Sequence, residues 1–334
     1  MKNAILIFIL FLFACTSKKK IPDVSTVKID LQTIRFEKAF FAVDTNHIDA
    51  SLQQLNNKYK GFSQDFLFNI LGTQPNVDSA CKDVKLFIGS YKSLYDTAQQ
   101  LYQDFSGTEK EIHQGLRFVH YYFPKYILPK QVITFIGPIN SYGNIITQDG
   151  LAVGLQLYMG QNYSIYQTEA CQNLYPAYVS RRFGAAYIPI NCIKNIIDDL
   201  YPNKVNGRAL IEQIIEAGKR LYLLDAFLPN TSDTLKTGYT GIQLAACFGN
   251  EQNIWAHFIE NNLLYETDPN KTAVYVNDGP GTPEINETTP GFIGQFVGWQ
   301  IVKKWMDKNE KVTLQQLLQT PNKQIFEEAK YKPK

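Results

Sequence analysis

The chain has 334 residues, 45% of them apolar, a formal net charge of +2 and five cysteines. That apolar share suits a globular protein with a real core, and the near-neutral charge leaves no basic footprint for nucleic acid. With no CxxC spacing and only four histidines, a zinc knuckle is not supported.

The first predicted element is a signal segment. Lys2 opens it, and Ala4 to Ala14 is an apolar run. A helix needs about 20 residues to span a bilayer, so this run fits the core of a signal peptide covering residues 1–14. It ends Leu12–Phe13–Ala14–Cys15, which resembles a lipobox in which Cys15 is lipidated and becomes the new N-terminus. Phe13 is bulkier than is usual there. The alternatives are an uncleaved anchor or an ordinary signal peptide with a chance cysteine. Residues 15–23 read as a tether whose Lys18–Lys20 tract is solvated. No acidic cluster follows Cys15, which favours facing the periplasm rather than the cell exterior; the outer membrane is expected over the inner.

Residues 24–130 read as a mainly helical N-terminal lobe. Val24–Phe36 alternates, predicting a strand with Val27, Ile29, Leu31 and Ile34 on its inner face, and Arg35 with Glu37 as a structural ion pair. Helical patterns follow from Asn46 to Gly72, at Asp78–Leu86, at Lys92–Leu101 and at Ser106–Phe123. Ser106 and Glu109 have capping-box spacing. His113 and His120 lie two turns apart, roughly 10 Å along a helix, too far to share a metal ion. Pro124 and Pro129 mark the seam to the next lobe.

Gln131–Gly137 predicts a buried strand from its β-branched run, and residues 138–144 predict a turn. Asp149–Gly160 predicts a second strand. Its glycines do not form GxGxxG, and Gly154 is expected to admit a neighbouring backbone. In the helix predicted over Ile188–Leu200, Ile193, Ile196, Ile197 and Leu200 make the apolar side, while Asn191, Asn195 and Asp199 line another. Ala209–Pro229 predicts a long helix with apolar residues at three-to-four spacing. It holds Glu216 and Gly218 in mid-run and stops at Pro229.

Further on, Gln243–Gly249 and Glu251–Leu264 predict helices, with His257 exposed and unpartnered. Asp268–Pro290 reads as a long proline-rich loop, functional or mobile. Pro290–Met306 predicts a helix whose Gly294 and Gly298 form a smooth strip, with the Gly218 turn as its expected close partner. Thr313–Leu318 is a short helix, and residues 321–334 read as a tail. Cys81, Cys171, Cys192 and Cys247 are left as buried thiols or bridges.

A strand pair, then a helix, then a helix with a mid-helix Glu before Gly resembles the layout of zinc-dependent peptidases with a glutamate third ligand. There the first helix carries HExxH, whose histidines face one zinc. Here His47, His113, His120 and His257 all lie outside such a motif, and Asn195 and Asp199 would be weak, hard oxygen donors. Glu216 is expected to pair with Arg220 on a solvated flank, alongside Glu212. Glu216, Asp199 and Asn195 are thus the only catalytic candidates, and no metal or other cofactor is expected.

The stretches LFAC, VITFIG, DGLAVGLQLYMG, ALIEQIIEAGKRLYLLDAFLP, GYTGIQLAACFGNEQNIW and PGFIGQFVGWQIVKKWM resemble the GldB family of gliding-motility lipoproteins from Bacteroidetes. The resemblance implies a lipid-anchored envelope protein needed for gliding, with support of the linked type IX secretion machinery as a further implication. Its partners would be the membrane, through Cys15, and other gliding or secretion envelope proteins. The expected fold is α+β and mostly helical. A degenerate zincin-like lobe with a small sheet (131–320) follows the N-terminal helical lobe. The expected role is a non-catalytic binding or structural component. The alternatives are a metal-dependent envelope hydrolase whose residues meet only in space, and a glycan or peptide binder near residues 279–290.

Overall fold

The computed structural model describes residues 21–204 and 207–333, so the lipobox at Cys15 lies outside the described residues. The fold is α+β: mostly helical, with one small mixed sheet of four strands.

The sheet joins segments far apart in sequence. β1 (Gln32–Arg35) runs parallel to β2 (Gln131–Phe135), with Ile34 opposite Ile133. β3 (Asn144–Ile146) is antiparallel to β4 (Leu151–Gly154), and β4 is parallel to β2. The order β1-β2-β4-β3 leaves β3 as an edge strand. β2 and β4 are buried along nearly their whole length, as their continuous apolar runs require of central strands.

Three sequence expectations are corrected here. Only residues 32–35 of the first predicted strand pair with a neighbour; the alternation before them marks a packed face without a ladder. The second predicted strand ends at Gly154, where Leu155–Leu157 tightens into a 3₁₀ turn. β3 starts on the last residue of the predicted turn, Asn144, and runs through Ile145 and Ile146, which no predicted element covers. The expectation for Gly154 holds: a Cβ there would stand 2.4 Å from the Tyr142 carbonyl oxygen.

The N-terminal helices are α1 (Phe36–Phe41), α2 (Ile48–Lys58), α3 (Lys60–Gln64), which continues into a π-helical turn over Asp65–Ile70, α4 (Val77–Leu101) and α5 (Ser106–Tyr122). Aromatic rings lock them together: Phe36 meets Phe62 edge-on at 4.9 Å, and Phe40 meets Phe66 at 4.7 Å. α4 replaces two predicted helices, because Phe87 and Ile88 in the supposed gap are themselves buried. The Ser106–Glu109 capping box does not form. Asp104 accepts from the Ser106 amide at 2.8 Å, and Glu109 turns to the Thr33 hydroxyl. Arg35 and Glu37 do pair, at 2.6 Å, and Thr134 donates to the same buried carboxylate.

The remaining helices are α6 (Glu169–Leu174), α7 (Ala177–Ser180), α8 (Tyr187–Leu200), α9 (Leu210–Phe227), α10 (Asp233–Thr237), α11 (Gly241–Gly249), α12 (Glu251–Glu260), α13 (Pro269–Val276), α14 (Ile293–Lys308), α15 (Leu314–Gln319) and α16 (Asn322–Ala329). α9 and α14 are the central pair. A Cβ on Gly218 would lie 2.1 Å from the Gly298 carbonyl carbon, and one on Gly298 would lie 1.8 Å from the Ile214 oxygen. The two backbones therefore touch where the glycine strip predicts. The start of the predicted 268–290 loop is helical instead, since Asp268 caps α13 and Pro269 sits in its first turn. The last segment is also helical: Asn322, Ile325 and Ala329 of α16 are buried, and Trp305 donates to Glu328 at 2.7 Å. Cys81, Cys171, Cys192 and Cys247 are free thiols.

Candidate functional site

The three catalytic candidates serve different neighbours. Glu216 is only 3% exposed, which corrects its expected place on a solvated flank. Its carboxylate accepts from the Tyr201 hydroxyl at 2.8 Å and faces the Asn322 amide at 3.4 Å. The i,i+4 contact with Arg220 is present at 3.6 Å, but Tyr201 and α16 close over it. Arg220 also reaches Asp198 and the Tyr201 carbonyl. Beside it, burial pulls Lys219 down to about 8 against the pull of Glu216, and its Nζ donates to the Thr320 carbonyl at 2.7 Å. Glu216 is thus a knot between α9, the end of α8 and α16.

Asp199 is exposed and accepts from the Tyr126 hydroxyl at 2.6 Å. His257 is not unpartnered: its Nε2 lies 3.0 Å from the Tyr275 hydroxyl. Among the described residues, no three His, Cys, Asp or Glu side chains gather closely enough to hold a metal ion.

Asn195 faces a pocket of about 340 Å³ between the sheet edge and α8. Asn191, Lys194 and Asn195 line one wall, brought together by their i, i+3 and i+4 spacing. Gly143 and Asn144 at the start of β3 form another, with Leu157 and Tyr158 just after β4. Val179, Arg182 and Phe183 close the third side, and Tyr187 stands at the start of α8.

The back of the pocket is a hydrogen-bonded chain. Asn191 donates to the Tyr158 hydroxyl at 2.8 Å, Tyr158 donates to the Asn144 side-chain oxygen, and Asn144 donates to Cys192 Sγ at 3.3 Å. Burial raises the Tyr158 phenol and pushes the Cys192 thiol up to about 12, so that sulfur stays protonated and unreactive. At the mouth Arg182 pairs with Asp278. Lys194 has no such mate among the described residues: of the two carboxylates whose charge reaches it, Asp278 is held by Arg182 and Asp198 by Arg220. Burial first, then Arg182, pulls the Lys194 ammonium down to about 8. The Asn195 side-chain oxygen is buried and has no hydrogen-bond partner.

The pair at HExxH spacing that faces this pocket is Asn191 and Asn195, not Asn195 and Asp199. Asn191 spends its amide on Tyr158, Asn195 offers one neutral oxygen, and a lysine stands beside both. Neutral amides with a cation at their side do not fit zinc, which takes imidazole, thiolate or carboxylate donors. The polar face of α8 was visible in its spacing. Asn144, Tyr158, Arg182 and Lys194 were missed, because no local pattern connects four segments that meet only after folding.

These features define a class: an α+β protein with a glycine-packed helix pair and a cation-cornered polar pocket at the edge of a small sheet. The family model for gliding motility protein GldB matches residues 17–333, and the chain belongs to that family of gliding-motility lipoproteins. Comparison with curated proteins and with solved structures gives no match. Among the described residues, no helix is long and apolar enough to cross a membrane. Attachment by a lipid in the cell envelope is what the family implies.

Proposed function

We propose that the protein is a non-catalytic component of the gliding apparatus, anchored through lipidated Cys15 and working by binding. The observation that carries this reading is the use of Glu216. The glutamate in the place of the zinc-peptidase layout's third ligand is closed in: one carboxylate oxygen accepts from Tyr201 and Asn322, and the other is buried 3.6 Å from Arg220 with no hydrogen bond. The zincin-like scaffold is supported by the edge strand β3 packed beside α8 and by the asparagine pair at HExxH spacing. On this reading the scaffold keeps the cleft and has lost the ligands. Envelope partners in gliding or type IX secretion would then engage a recognition surface.

The anchor also orients the molecule. Six residues from Cys15 to Ile21 reach roughly 20 Å at most. Ile21 and Pro22 line a groove of about 820 Å³ with Tyr121, Tyr222 and Met306, which would place that groove close to the bilayer.

Glu216→Gln in the native host tests the non-catalytic reading. It should lower stability by about 1–3 kcal/mol, as expected when a buried hydrogen-bonded carboxylate is lost, while gliding follows the amount of folded protein. Gliding abolished at wild-type abundance would restore the hydrolase reading. Cys15→Ser should move the protein out of the membrane fraction. If the variant stays there, the apolar segment itself is the anchor.

A further inference from the structure

We propose that the pocket between β3 and α8 binds the free C-terminal carboxylate of a short peptide. Lys194 takes the acid beside the Arg182–Asp278 pair, and the Asn191–Asn195 face takes the preceding peptide bond. The inference rests on the binding role proposed above and names its ligand class.

Four observations converge on it. Lys194 is a cation without an ion-pair mate among the described residues, while both carboxylates near it are held by arginines. Arg182 is close enough for its charge to push on the Lys194 ammonium while its own mate is Asp278, so an anion on Lys194 would relieve that repulsion. The Asn195 oxygen is unmatched and closed off from solvent in the pocket wall; a turn of that side chain towards a peptide N–H would end the cost of leaving it unpaired. Finally, Leu157, Val179 and Phe183 give an apolar wall for a side chain. The volume, about 340 Å³, lies at the small end of ligand pockets, roughly 300–1,000 Å³, and so suits the end of a chain rather than its length. An acidic sugar shares the charge but would leave the apolar wall unused.

Calorimetric titration of the full detergent-solubilised lipoprotein tests this. The probes are N-acetyl-trialanine as the free acid, the same peptide as its C-terminal amide, glucuronate and inorganic phosphate. The free acid should bind saturably, and the amide at least about tenfold more weakly. That ratio corresponds to 1.4 kcal/mol, a modest share of a charge-assisted hydrogen bond. Lys194→Gln should lose a similar factor while still melting cooperatively, and Lys194→Arg should retain most of the binding. The acid–amide comparison needs no variant, so a folding defect in one does not blunt the test. Equal binding of acid and amide would overturn the proposal. So would tighter binding of glucuronate or phosphate than of the peptide, or no binding by protein that still melts cooperatively. Peptide cleavage during titration would instead overturn the non-catalytic reading and leave the site standing.

Discussion

Gly218 shows how much one missing methyl group decides. In a helix interior glycine costs about 1 kcal/mol relative to alanine, so its presence in α9 needs a compensating contact, and the Gly298 carbonyl supplies it. Gly218→Ala should therefore destabilise the protein by about 1–3 kcal/mol through overpacking, read as a lower urea midpoint at constant m-value. Gly89 in α4 is the contrasting case. It is exposed, and nothing lies within 4 Å of the Cβ it lacks. Gly89→Ala should raise stability by about 0.5–1 kcal/mol. Two glycine-to-alanine changes in helices thus have opposite signs, set only by what stands opposite.

Helices were the legible level of this sequence wherever apolar spacing was long, as in α5, α8, α9 and α14. The close approach of α14 to Gly218 was also legible, because small residues four apart permit it. Strand pairing was not, since partners such as Ile34 and Ile133 lie about a hundred positions apart and alternation alone does not say who sits alongside. The pocket was half-legible for the same reason: Asn191 and Asn195 share a helix with Lys194, while Tyr158 and Arg182 arrive from elsewhere. α16 was mistaken for part of a tail because its apolar residues are few. Ile325 is nonetheless fully covered, Tyr331 is buried beyond it, and Asn322 helps close the Glu216 knot. Burial of one such isoleucine contributes about 1.5–3 kcal/mol. Deleting residues 321–334 also uncovers Glu216, so the total becomes a large fraction of a domain's 5–15 kcal/mol. The truncated chain should lose its near-ultraviolet circular dichroism and become sensitive to protease. A cooperative melt unchanged by the deletion would show that α16 is dispensable.

At the scale of the whole molecule, two lysines, Lys219 buried and Lys194 half-buried, help set how stability answers to pH. Lys194 and Lys219 are each held down to about 8 by burial, against about 10.4 for a free lysine. Between those values the unfolded chain binds more protons than the folded one, so stability increases with pH. The cost of burying the two charges is fully present below about 8 and fades as pH climbs through the lysine range. Buried phenols act in the opposite sense. Burial raises Tyr102, Tyr158 and Tyr239 in the fold, and unfolded tyrosines begin to ionise near pH 10, which favours unfolding there. Buried thiols act in that sense too: Cys192 and Cys247, pushed up to about 12, keep their protons while unfolded thiols ionise near pH 8.5. The urea midpoint should therefore rise from pH 7.5 to about pH 8.5, level off above it and fall beyond about pH 10. Lys194→Met should raise the midpoint at pH 7 and flatten part of the climb. A midpoint that falls steadily across the window would mean that both ammonium groups are solvated. Carboxylate ligands saturating the pocket should flatten the same climb in the unmodified protein, because an anion beside Lys194 restores its affinity for a proton. The slope thus reports occupancy of the pocket without any measurement of activity.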